Sequence, residues 1–164
     1  MSIFETLNSY SLVIAFPVLF LGLVALLPIR RWRVRVPVYS AVLVGALVVF
    51  ALLRPGASTV ESTAEANQIL SGGQPVFLEF FSNTCTLCLA SEPGVKSLQA
   101  AVGDRARILR LNVSDDLAIP LMREFGAFQT PTFIVFNDLG QEVWRQSGRV
   151  LDRRLALEAL GIEP

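Results

Sequence analysis

The chain has 164 residues, 52% of them hydrophobic and only 17% charged, which is too apolar for an ordinary soluble domain and suggests one domain plus a smaller apolar part. Two cysteines and no histidine are too few ligands for a structural zinc site in one chain, and exclude acid–base catalysis or haem ligation by histidine. Formal net charge is zero, but five arginines and one acid precede residue 57 while nine basic and thirteen acidic residues follow from there, so the larger part has no basic surplus to attract nucleic acid.

Residues 1–10 form a short polar tail. Residues 11–29 are a nearly unbroken apolar run that as a helix would span roughly 28 Å, about one hydrocarbon core. A cleaved signal peptide would want a basic start, a shorter core and small residues at its end; here the start is acidic (Glu5) and the run closes on Pro28-Ile29-Arg30-Arg31, so a retained anchor is expected. Residues 30–36 carry four arginines and Trp32 between two apolar runs, and residues 37–53 are the second run. The positive-inside rule puts the arginine loop in the cytoplasm and both ends of the hairpin on the other side. Residues 54–58 read as a linker.

Residues 59–164 read as a globular α/β domain. Ser62 and Glu65 have capping-box spacing at the start of a helix that ends at Gly72-Gly73, with room for a short strand at 59–61. Val76-Phe77-Leu78-Glu79-Phe80-Phe81 is a strand with apolar residues on both faces except Glu79. Cys85 and Cys88 follow where the next helix begins. Backbone N–H groups and the helix dipole aimed at Cys85 favour its thiolate, below the free thiol value of about 8.5. Cys88, one turn on, can close a disulfide onto Cys85. That is a layout for thiol–disulfide exchange, with Cys85 attacking and Cys88 resolving; a pair of merely buried cysteines is the competing reading.

The helix runs to about residue 102 with Pro93 expected to bend it. Residues 107–113 are a strand, parallel to the first through a right-handed crossover. A short helix follows at 120–125, then a strand at 132–136, a turn at 137–140 and its hairpin partner at 141–146. A closing helix at 152–160 is expected to bury Leu151, Leu155 and Ala159. Trp144 and Phe77, Phe80, Phe81, Phe133 and Phe136 are expected in the core.

From residue 59 onward, the order of elements with C-x-x-C after the first central strand resembles the thioredoxin family. Further matches are independent of the cysteines: Glu79 six residues before Cys85, Pro93 five after Cys88, Thr130-Pro131-Thr132, Gly140, Gly148, and Arg110 in place of a lysine. The apolar hairpin, with residues 74–81 and 111–113, is similar to the anchored thioredoxin-like proteins of periplasm and thylakoid lumen. Departures are Thr84 for tryptophan, Thr86-Leu87 for Gly-Pro, and Leu89 for a basic residue.

The resemblance implies roles. Glu79 takes and returns the proton of Cys88, or pairs with Arg110, or both. Pro131 is cis and faces the cysteines, where a trans proline at a strand start is the plainer alternative. Thr130, with Thr84 nearby, pairs with the substrate backbone, and Pro93 and Arg110 support the site. No cofactor or metal is expected. The implied partners are protein disulfides, a separate membrane thiol donor and the lipid bilayer, because the hairpin has no cysteine to relay electrons. The expected function is a membrane-anchored thiol–disulfide oxidoreductase, reducing on the extracytoplasmic side, with cytochrome c maturation among the roles the resemblance implies. An oxidase, an isomerase or a redox-silent binding module would use the same residues.

Overall fold

In the computed structural model, residues 32–53 and 55–163 are described, together with Val18 and Gly22. The expected first apolar helix and tail therefore lie outside the described residues apart from those two, both helical. Helix α1 spans Trp32–Leu53 and contains Pro37. It begins inside the segment read as an arginine loop, since nothing between Trp32 and Pro37 breaks a helix. Among the described residues, no helix is long and apolar enough to cross a membrane.

The globular part begins with α2 (Thr63–Leu70), followed by β1 (Val76–Phe81), α3 (Thr86–Val102), β2 (Arg107–Asn112), α4 (Ala118–Glu124), β3 (Thr132–Phe136), β4 (Glu142–Ser147) and α5 (Arg153–Ala159). The four strands form one sheet in the order β2-β1-β3-β4. β1 runs parallel to β2 and antiparallel to β3, and β3 pairs antiparallel with β4. The sheet is therefore mixed, with β1 at its centre.

Side chains alternate across the sheet, and each face finds helices. Val76, Leu78 and Phe80 of β1 pack with Leu109, Leu111, Ala66 of α2 and Leu121 of α4. Phe77, Phe133 and Val135 pack on the other face with Val95 and Leu98 of α3 and Leu157 of α5. Glu79 belongs to this second face, between Phe77 and Phe81, and that places an acid under α3. All six β1 residues are buried, as the two-sided apolar pattern requires.

Local signals explain most boundaries. The Ser62 hydroxyl accepts from Glu65 N at 3.1 Å at the start of α2. No strand forms at 59–61; instead Thr59 N donates to Arg110 O at 2.9 Å, and Thr59 Oγ1 accepts from Arg110 N at 3.0 Å, along the open edge of β2. Asn137 Oδ1 accepts from the N–H groups of Leu139 and Gln141, and Gly140 takes the positive φ of 72° that closes the hairpin turn. α3 continues through Pro93 as one helix. Asp152 caps α5, whose buried residues are Ala156 and Leu157, with Leu160 just beyond. Leu155 and Ala159 are only half-buried, so the expected face is turned by one to two positions. The five core phenylalanines are buried and Trp144, on edge strand β4, is half-buried.

Candidate active site

The chain leaves β1 through Ser82, whose carbonyl accepts from Cys85 N at 3.2 Å. Its hydroxyl accepts from Thr84 N at 3.3 Å and lies 3.0 Å from Thr84 Oγ1. This polar turn brings Cys85 to the N-cap of α3 with extended backbone angles, φ −92° and ψ 118°. Cys85 Sγ then does what a capping oxygen does: it accepts from Cys88 N, at 3.3 Å. Cysteine is not a usual cap residue.

Opposite lies the loop before β3. The Thr130–Pro131 peptide bond is cis, as expected. The carbonyl of Thr130 accepts from the Cys85 thiol at 3.5 Å. The loop is held from behind: Gly148 N donates to Pro131 O at 2.8 Å, and Thr132 Oγ1 donates to Gln129 O at 2.7 Å. Gly148 has φ 67°, which favours glycine; a Cβ there would stand 2.8 Å from Gln129 Oε1, the far end of an exposed side chain that can move aside.

Both cysteines are free thiols and both are buried, clustered with Phe81 and with half-buried Leu87 packed against them. Cys85 exposes 0% of its surface in this state. Its pKa is lowered to about 6. The largest cause is the hydrogen bond from the Cys88 side chain; burial opposes it, and the Cys88 N–H adds to it. Cys88 moves up instead, through burial first and then its coupling to Cys85. The pair titrates as a unit, with the first proton leaving from Cys85. The helix N-terminus, expected to be the main cause of an acidic Cys85, contributes, but the neighbouring thiol does more.

Beneath the cysteines is a charge cluster. Glu79 and Arg110 are partners in the β1–β2 register and share a face. Arg110 Nε donates to Glu79 Oε2 at 2.5 Å, and Arg110 Nη2 donates to Glu92 Oε2 at 2.6 Å. The guanidinium also lies 5.1 Å from the Phe81 ring centroid. Glu79 is fully buried, Glu92 nearly so. Burial pushes the Glu79 carboxyl up to about 7 against the pull of Arg110. For Arg110, burial works against the charge, but Glu79 and Glu92 outweigh it and raise its pKa. Glu79 is thus paired with Arg110 while its carboxyl titrates near neutrality.

The structure brings together Cys85, Cys88, Thr84, Thr130 and Pro131 at one end of the sheet, with Glu79 and Arg110 below. Pro93 lies inside α3 directly after Glu92. Glu92 escaped the sequence reading. The signal was there: four residues after Cys88, it is one helical turn further along the same face, in an otherwise uncharged stretch. Asn83 was also missed. Its side chain accepts from Gly56 N at 2.9 Å and donates to Gly56 O at 2.8 Å, tying the linker to the active-site turn. Among the described residues, no group of His, Cys, Asp and Glu is arranged to hold a metal ion.

No protein-family model matches the chain. It is 26% identical over 116 residues to the thiol:disulfide interchange protein TxlA of Synechococcus elongatus, covering 68% of this chain and 61% of that protein. It is 29% identical over 113 residues to the chloroplastic thioredoxin-like protein HCF164 of Oryza sativa, covering 65% of this chain and 43% of that protein. The chain thus spans about half the length of these curated relatives. Among solved structures, a mutant thioredoxin from Halobacterium salinarum superposes with a TM-score of 0.52 at 24% identity, over 64% of this chain and 91% of that one. The fold is thioredoxin-like, and the relatives are thioredoxin-like and thiol:disulfide interchange proteins.

Proposed function

We propose that the chain is a thiol–disulfide oxidoreductase that reduces protein disulfides. The observation that carries this reading is the meeting of Cys85 Sγ, at the start of α3, with Cys88 N at 3.3 Å and with the Thr130 carbonyl before cis Pro131 at 3.5 Å. A sulfur so placed is largely thiolate at neutral pH and faces a loop whose backbone can pair with an extended substrate. Cys85 attacks a substrate disulfide and forms a mixed disulfide, releasing one substrate thiol. Cys88 gives its proton to Glu79 and attacks Cys85, which releases the second substrate thiol and leaves the Cys85–Cys88 disulfide. Two electrons pass from the dithiol to the substrate.

The reading includes a two-helix membrane hairpin, residues 11–29 and 37–53, that holds the domain on the extracytoplasmic side. Its support is in the sequence: two apolar runs flank a segment with four arginines. The reductive direction, and a role among proteins such as maturing cytochromes c, rests on resemblance. All cysteines of the chain lie in the C-x-x-C pair, so a separate membrane thiol donor would recharge it.

A second reading is favoured by one observation, the complete burial of Cys85. In that reading the domain is a redox-silent binding or assembly module. Reduction of insulin by the full chain in detergent separates the two. Turnover that is lost in Cys85→Ser, with a stable mixed disulfide trapped by Cys88→Ser, is the expected result. No turnover and no trapped species would leave the binding module. The measured reduction potential then separates a reductase from an oxidase.

A further inference from the structure

The exchange reading uses Glu79 as the base for Cys88, but it leaves the second buried acid unexplained. We infer that Glu92 is a positioning residue for this chemistry: it holds the Arg110 guanidinium between two carboxylates, so that Glu79 keeps one oxygen free of Arg110 to take the Cys88 proton. This rests on the exchange reading above and adds to it the group that sets how well Glu79 works.

Three observations support it. First, the guanidinium fork is divided. Nη1 and Nη2 both turn to Glu92, at 3.4 and 2.6 Å, and only Nε is left for Glu79. The two terminal nitrogens thus close on Glu92 as a two-bond fork, and Glu79 receives a single bond. Second, Glu79 Oε1 is buried with no hydrogen-bond partner. An orphaned carboxylate oxygen is costly, and it is the atom a proton would occupy. Third, the buried charges do not balance, with two carboxylates on one guanidinium. Lys96 Nζ approaches Glu92 at 3.5 Å, but its side chain is 61% exposed and water screens it. The surplus negative charge favours a proton on Glu79, and Glu92 is among the causes that raise its pKa.

The groups facing Glu79 are Arg110 from β2, and Glu92, Cys85 and Cys88 from α3 and its cap. From β3 its register partner is Phe133, which carries no charge. Without Glu92, Arg110 is free to close on both oxygens of Glu79. The remaining pair is neutral, and Glu79 becomes a weaker base.

The test uses 5,5′-dithiobis(2-nitrobenzoate) as the disulfide, mixed rapidly with the reduced full chain in detergent. The first chromophore released reports attack by Cys85, and the second reports resolution by Cys88. In the parent, the second rate rises with pH as Glu79 ionises. In Glu92→Gln, that rise is expected about one pH unit lower, with a lower plateau and the first rate unchanged. Glu92→Met should behave alike, since it leaves the Arg110–Glu79 pair without an orphan amide. A rise at the parent pH in both variants overturns the inference, and so does failure of both to fold, which makes Glu92 structural. Glu79→Gln is the reference. A rise that survives in it removes Glu79 as the base and sinks the exchange step as well. A rise lost in Glu79→Gln but unmoved by the Glu92 variants sinks only the role of Glu92.

Discussion

Glu79 shows how burial of one residue ties stability to pH. Its carboxyl titrates at about 7 in the folded chain, against 4.5 for an ordinary glutamate. Between those values the native state binds a proton that the unfolded state has lost, so this group makes stability fall as pH rises from 4.5 to 7. Cys85 acts in the opposite sense. Its pKa is depressed to about 6 from 9, so it contributes stability that is present above 9 and lost as pH falls through 6. The two overlap near neutrality, and only a comparison separates them. Relative to Glu79→Gln, the parent should lose roughly 2–3 kcal/mol between pH 5 and pH 8. Urea unfolding of reduced parent and variant at both pH values measures this. A difference that stays constant with pH would mean that Glu79 is ionised throughout. The acid itself was legible in the sequence, as the one charge in an apolar strand. Its raised pKa follows first from burial in that strand, which the sequence also implied; the smaller push from Glu92 was not legible, because it needs Glu92 to reach the same guanidinium from another element.

At the scale of elements, the continuous apolar runs of the central strands proved more readable than helix faces. β1 and β3 are apolar on both sides, so any register buries them, and the mixed sheet follows from where the connections lead. α5 is short, and Leu151, Leu155, Ala156, Leu157, Ala159 and Leu160 offer two overlapping apolar stripes. Periodicity does not choose between them. The Asp152 cap and the β4–α5 connection do: Leu151 N donates to Ser91 Oγ on α3 at 3.1 Å, and Gln146 Oε1 accepts from Asp152 N at 3.1 Å. These bonds set the rotation that buries Leu157 completely and leaves Leu155 half-buried. Leu157→Ala should therefore cost about 2–5 kcal/mol. Leu155→Ala should cost clearly less, since it opens no enclosed cavity. Equal shifts in urea midpoint would put the helix back on the face its sequence first suggests. The cis proline shows the same division. Thr-Pro-Thr before a strand was readable as a motif, but the Cys85–Thr130 contact that gives it meaning spans 45 positions.

For the whole molecule, the question is where the active site stands relative to the tether. The linker is stitched to the domain. Gly56 exchanges two hydrogen bonds with Asn83, two residues before Cys85, and Asn112 N donates to Ser58 Oγ at 2.9 Å. Helix α1 ends at Leu53, only three residues before Gly56. Three residues reach at most about 11 Å, so the end of α1 and the active-site turn are close neighbours along the chain path. If residues 11–53 form the proposed hairpin, the cysteines work close to the bilayer surface, on the side opposite the arginine-rich segment. A membrane-impermeant maleimide tests the side. In sealed vesicles with their outer face exposed, Cys85 should be labelled as fully before permeabilisation as after it. Because Cys85 is buried, the comparison is of final yields against a urea-denatured control rather than of rates. Labelling that appears only on permeabilisation would place the domain with the arginines, and the disulfides it meets would then be those of the cytoplasm.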